Sequence, residues 1–187
     1  MPLWLWIVII LVALLLLGAV LAYNRLVALR ARVNNGWSQI DVQLRRRYDL
    51  IPNLVKTVQG YATHEREVFE NVTQARSRAI DANAIPDQAD AENHVTRGLR
   101  QLMAVAENYP ELKADNSFRH LQSRITELEE AIADRRELYN ESVNLNNIRL
   151  QTFPDLIVAR QFAFQQASLL EFAEEQRRDV NLEKLFG

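Results

Sequence analysis

Leu3 to Leu21 is an almost unbroken apolar run, and the first charged side chain of the chain, Arg25, follows it. A soluble core helix needs one apolar stripe, whereas this segment is apolar on every face. Crossing a hydrocarbon core of about 30 Å takes roughly 20 residues at about 1.5 Å each, which this run supplies. It reads as a transmembrane helix that holds the rest of the chain at a membrane surface. Val20-Leu21-Ala22 resembles a signal-peptidase site, but residues 1–6 carry no Lys or Arg. The apolar stretch also exceeds the roughly 7–15 residues of a signal core, so the run is expected to be retained as an anchor. Without cysteine the chain cannot be an acylated lipoprotein. Trp4 and Trp6 at one end and Tyr23 at the other lie where amphipathic rings settle at headgroup level.

Basic residues give the expected orientation. Arg25, Arg30, Arg32, Arg45, Arg46 and Arg47 follow the anchor with only Asp41 among them, and no basic residue precedes it. The positive-inside bias then places the amino terminus outside and the larger part in the cytoplasm. A basic segment next to the bilayer gains about 1 kcal/mol per contact with anionic lipid.

Composition narrows the remaining choices. The net charge of -2 gives no reason to expect a nucleic-acid partner, and the absence of cysteine removes disulfides and thiolate metal sites. Five glycines and five prolines in 187 residues point to long helices with short connections. No low-complexity linker appears, so the reading is an anchor over residues 1–24 followed by one domain over 25–187.

From Trp37 the apolar positions Ile40, Leu44, Tyr48, Ile51, Leu54, Val58 and Tyr61, then Val68, Phe69 and Val72, recur at steps of three and four. The stripe predicts one helix, kinked near Leu50 by Pro52, weakened at Gly60 to Thr63, and not turning back on itself. The anchor is expected to run straight into it, because Ala22 to Ala31 holds no breaker. Pro86 opens the next helix, with Asp87, Asp90 and Glu92 as acids in its first turn, where they complement the dipole. Phe118, Leu121, Ile125, Leu128, Ile132, Tyr139 and Val143 form a coiled-coil-like seam that ends near Gln151, before Phe153-Pro154. Leu156 to Arg178 reads as a fourth helical region, interrupted at a Ser168-x-x-Glu171 capping box. No segment alternates with period two. The expected fold is all-α: a transmembrane helix followed by an elongated antiparallel bundle of three long helices and a shorter fourth.

Carboxylate-bridged metal sites in bundles need Glu-x-x-His, and the residues three before His64, His94 and His120 are Tyr61, Ala91 and Ser117. His64-Glu65 resembles the start of a zinc-protease motif, but Val68 stands where the second histidine belongs. No glycine-rich phosphate loop or nucleophile elbow is present. Glu129-Glu130 and Glu174-Glu175 read as solvated pairs. The chain is therefore expected to be no enzyme, with no catalytic, cofactor or metal residues and no small-molecule substrate. Asn140, Asn144, Asn146 and Asn147 crowd the third helix, although asparagine is a mediocre helix former. Three readings stay open for them: an exposed polar face, buried hydrogen bonding between helices, or a partner-binding face.

The order of motifs then becomes informative. The apolar segment, Tyr23-Asn24, Gly36-Trp37-Ser38-Gln39-Ile40-Asp41, Arg46-Arg47-Tyr48-Asp49-Leu50-Ile51-Pro52-Asn53-Leu54-Val55, Ala75-Arg76, Tyr109-Pro110-Glu111-Leu112, Tyr139-Asn140 and Phe153-Pro154 together resemble the LemA family. The resemblance covers nearly the whole chain, and only the tail after about Phe172 departs from it. It implies an anchored bacterial helical bundle in the cell (inner) membrane, crossing once, with no established enzymatic activity. It also implies kinship with proteins associated with membrane remodelling.

The functional expectation is a membrane-anchored scaffold or adaptor that binds membrane or cytoplasmic proteins, or a second copy of itself, beside the lipid bilayer. The alternative is a non-catalytic regulatory subunit of a membrane peptidase or phosphatase. The expected partner surface is Arg45, Arg46, Arg47, Asp49 and Asn53; Trp4, Trp6, Tyr23 and Arg25 belong to the anchor. Ile157, Val158, Phe162, Phe164, Leu169, Leu170 and Phe172 exceed what one helix face needs; the surplus is expected either to bury between subunits of a homo-oligomer or to cap the bundle end.

Overall fold

The computed structural model of the protein describes residues 2–82 and 84–170. Six helices make up the described chain, and no strand occurs among the described residues. They are α1 (Leu3–Gln59), α2 (Arg66–Asp81), α3 (Ile85–Glu107), α4 (Pro110–Ala114), α5 (Asn116–Gln151) and α6 (Asp155–Gln161). The all-α bundle with a long apolar first helix is thus the fold found. As expected, α1 passes through Ala22 to Ala31 without a break. The chain divides into two units. One combines Met1–Ile40 with Asp134–Leu169, and the other holds Asp41–Ala133 and Leu170.

In the first unit α1 and α5 run antiparallel. Arg135 Nη1 donates to Gln39 Oε1 at 3.3 Å, a Cβ on Gly36 would stand 3.5 Å from the Tyr139 ring, and Leu26 shares a buried cluster with Leu150. Ala22, Val158 and Ala159 complete that cluster, with Phe164 against it. Toward the amino terminus the large side chains of the apolar run stand exposed: Leu3 is 82% accessible and Leu14 63%. A helix apolar all round and uncovered by protein is the pattern of a segment solvated by lipid.

The fourth helical region is shorter than expected, ending at Gln161. Ala163 takes the left-handed conformation (φ 52), Ala163 N–H donates to Arg160 O at 3.3 Å, and Phe164 N–H reaches Ala159 O at 3.0 Å. That is a Schellman termination, sealed by the usual apolar contact, here Phe164 with the cluster containing Ala159. Beyond it the chain to Leu170 has no regular secondary structure. The expected capping box at Ser168 needs Glu171, which lies outside the described residues, as do Phe172 and the rest of the region to Arg178.

The second unit corrects the reading of the first stripe. Gly60 to Glu65 interrupts the helix, and α2 folds back: Arg76 Nε lies 2.7 Å from the carbonyl oxygen of Tyr48. Had the helix continued, those residues would be about 40 Å apart at about 1.5 Å per residue. The stripe keeps phase across the break because α1 and α2 both bury it, through Ile51, Leu54 and Val58 on one and Phe69, Val72 and Ala75 on the other. Tyr61, counted in the stripe, is exposed, and its hydroxyl donates to Asp115 Oδ2 at 3.2 Å.

Pro86 sits in the first turn of α3 as expected. Helices α2 and α3 approach closely at Gly98, where an added Cβ would lie 3.1 Å from Val72 Cα. Asp115 caps α5 by accepting from Phe118 N–H at 2.8 Å. That hydrogen bond, assisted by those from Tyr61 and Ser117, holds its carboxyl below the usual range. The α5 seam is buried at Phe118, Ile125, Leu128 and Ile132 here, and at Tyr139 and Val143 in the first unit.

Candidate functional site

Charged residues on an apolar stripe demand partners, since an isolated buried charge is far costlier than a paired one. Arg47 falls on the α1 stripe between Leu44 and Ile51, and Glu92 falls on the α3 stripe before Val95 and Leu99. The fold brings them together in the second unit, Arg47 at 2% exposure and Glu92 at 1%. Arg47 Nη2 hydrogen-bonds Glu92 Oε2, and the Tyr48 hydroxyl donates to Glu92 Oε1. Buried Gln88, one turn before Glu92, hydrogen-bonds the same tyrosine. Glu129 of α5 brings Oε1 to 3.9 Å from Arg47 Nη1. Arg47 Nε finds no hydrogen-bond partner among the described residues. Burial, then the negative charge of Glu92, pushes the Tyr48 hydroxyl far above its ordinary range, so it stays a neutral donor.

The same segment holds a second device. Pro52 has no N–H, so the carbonyl four residues earlier, that of Tyr48, loses its helical partner. Arg76 supplies the missing donor from α2. The helix therefore continues through Pro52 to Gln59, with the orphaned carbonyl used as a docking point for its neighbour. Consecutive residues of the Arg47-Tyr48 pair thus tie α1 to α3 by side chains and to α2 by backbone.

These findings sort the expected site residues. Arg45, Arg46, Asp49 and Asn53 are exposed on α1, with Arg45 Nε ion-paired to Asp41 at 2.9 Å. Arg47, grouped with them in the sequence, is instead a core residue, because 100° of helical rotation from Arg46 turns it into the bundle. Glu92, expected in the first turn of α3, lies two turns inside it and is buried, and Glu129 is not simply solvated. Trp4, Trp6, Tyr23 and Arg25 are exposed on α1. His64 is exposed in the α1–α2 connection.

In the first unit Asn147 answers part of the asparagine question. Its side-chain amide pairs with the backbone of Ala167 on both sides, Nδ2 donating to Ala167 O at 2.9 Å and Oδ1 accepting from Ala167 N–H at 3.0 Å. Asn146, buried, donates to Asn147 Oδ1 at 3.3 Å, and the Tyr139 hydroxyl donates to Ser168 O at 3.1 Å. These residues hold an extended segment, a role that none of the three readings included. Asn144 alone is plainly on the exposed face.

Chemically, Glu92 meets a donor at each oxygen and is closed to solvent, so it offers no open carboxylate to a substrate. Among the described residues no group of three His, Cys, Asp or Glu side chains is placed to hold a metal ion. A shallow groove of about 830 Å³, lined by Gln59, Thr63, Arg66, Phe69 and Glu70 among others, is open and carries no such set.

An all-helical bundle whose first helix is long and apolar enough to cross a membrane defines the class: a membrane-associated helical protein. The family model for the LemA family matches residues 36–183, and the chain belongs to that family. It is 26% identical over 158 residues to the magnetosome proteins MamQ 1 and MamQ 2 of Paramagnetospirillum magneticum, covering 71% of this chain and 58% of theirs. It is 25% identical over 165 residues to Protein LemA of Metamycoplasma hominis, covering 87% of this chain and 74% of that one. The chain thus spans under two thirds of the length of the magnetosome relatives.

Proposed function

We propose that this chain is a membrane-anchored, non-enzymatic scaffold that binds partner proteins or further copies of itself at the bilayer surface. Its amino terminus is outside and its bundle is in the cytoplasm, next to the inner membrane of a bacterial cell. The observation that carries the reading is the division of charge along one stretch of α1. Arg47 is sealed into the core with Glu92, while Arg45, Arg46, Asp49 and Asn53 stand exposed. Relatives named for a cell structure, the magnetosome, and not for a reaction, support the same reading.

Native mass spectrometry of the full chain in lipid nanodiscs tests it, alone and with membrane extract from its own cell. The parent is expected to retain bound copies or partners that Arg45→Glu/Arg46→Glu releases, with helical content unchanged. Identical assembly of parent and double variant would overturn the surface. Alkaline phosphatase fused after Gly187 should be inactive, and activity there would reverse the topology.

A further inference from the structure

The membrane-facing end of the first unit carries apolar side chains that the bundle leaves uncovered. Gly36 of α1 lies against Tyr139 of α5, and Leu26 clusters with Leu150. Continued in that antiparallel register, Phe153 stands level with Ala22, the point where the apolar run of α1 ends. The Phe162 ring lies 4.8 Å from that of Tyr23, centroid to centroid, so the far end of α6 is at the same level. Phe153 is 76% exposed, Ile157 61% and Phe162 59%. Within 148–163 the one acid is Asp155, which is buried and paired with Arg149 Nη1 at 3.6 Å. Arg25 and Arg160 are exposed.

We infer that the turn after α5 and the exposed face of α6 form a second membrane contact, in which Phe153, Ile157 and Phe162 enter the interfacial layer of the bilayer beside the emerging anchor. Apolar rings inserted at headgroup depth, with arginines beside them and no exposed carboxylate, match the chemistry of an anionic lipid interface. Continuity with the lipid-facing surface of α1 selects the bilayer over a protein as the occupant. A single helix leaves a bundle free to swivel, and a second contact one helix diameter away fixes its attitude to the membrane.

The inference rests on the anchored reading, and one experiment separates the two. The chain has no cysteine. Single cysteines at Phe153→Cys, Ile157→Cys and Phe162→Cys, with Leu14→Cys and Leu138→Cys for reference, can be labelled with bimane in the full chain. The labelled chains are placed in phosphatidylethanolamine/phosphatidylglycerol vesicles carrying brominated acyl chains. The three test sites should be quenched by bromolipid at least about twofold more than Leu138→Cys, and shielded from aqueous iodide. Iodide quenching equal to that at Leu138→Cys overturns the inference. Shielding from both quenchers also overturns it, in favour of a second copy covering the face. If Leu14→Cys escapes bromolipid, the anchor itself falls; if Leu14→Cys is quenched and the three are not, only this contact falls.

Discussion

The two units differ in how deeply they bury the charges that hold their helices. In the second, a guanidinium and a carboxylate from α1 and α3 are buried together, with a neutral tyrosine donor and the carbonyl freed by Pro52 as accessories. In the first, neutral groups hold the segment after α6: an asparagine amide paired with backbone, a tyrosine hydroxyl on a carbonyl, and aromatic rings around Tyr23. The buried carboxylate of Asp155 there meets a guanidinium, Arg149, that stays exposed. Buried ions add little as an intact pair but are severe when one is lost, because the survivor stays desolvated. Neutral hydrogen bonds each contribute about 1 kcal/mol and fail one at a time. The contrast predicts an all-or-none second unit and a locally yielding extended segment in the first.

The largest effect should come from Glu92→Gln. It keeps the shape of the side chain but leaves Arg47 charged and buried with only the distant, partly exposed Glu129 as countercharge, a loss of about 3 kcal/mol. Arg47→Met/Glu92→Leu removes both charges and should recover most of that loss. Urea unfolding of the full chain in mild detergent, followed by circular dichroism, measures both. A cost below about 1 kcal/mol for Glu92→Gln would show that the pair is solvated, and the contrast would collapse.

The next effect isolates the proline device. Arg76→Ala removes the donor to the Tyr48 carbonyl and should cost about 1.5–3 kcal/mol, the range for hydrogen bonds from charged groups. In a Pro52→Ala background residue 52 again has an N–H for that carbonyl, so the same Arg76→Ala change should cost at least about 1 kcal/mol less. Equal costs in both backgrounds would mean that Arg76 acts only by packing and charge.

Much of this architecture was legible beforehand, and particular residues show why the rest was not. Apolar spacing gave α5 and its end, because Phe153-Pro154 punctuates locally, and Pro86 marked the start of α3. The apolar run gave the long apolar start of α1 by length alone. The reversal at Gly60 was missed because the buried stripe keeps phase on both sides of it, and periodicity carries no information about direction. Arg47 and Glu92 were visible as charges on apolar stripes, yet they were assigned to a surface and to a helix start. Reading each as the other's partner needs tertiary contact across 45 residues. The end of α6 at Gln161 was hidden because an alanine, not a glycine, takes the left-handed position.

The smallest effect tests the neutral side of the contrast. Asn147 provides Ala167 with both a donor and an acceptor, and no other described side chain does so, so Asn147→Leu should free the extended segment while leaving the helices standing. The expected loss of global stability is about 1 kcal/mol or less, since two neutral bonds are replaced by bonds to water at a half-buried site. Hydrogen exchange reads the difference more sharply than melting does. Backbone amides over 164–170 should exchange roughly tenfold faster, and those of the α2–α3 hairpin should be unchanged. Asn147→Asp sharpens the point, because it keeps an acceptor for Ala167 N–H but sets a carboxylate against Ala167 O. It should therefore loosen the segment despite retaining one of the two bonds. If either variant also speeds exchange in α2 and α3, the segment is part of the global cooperative unit, and the two regions do not differ in the way their chemistry implies.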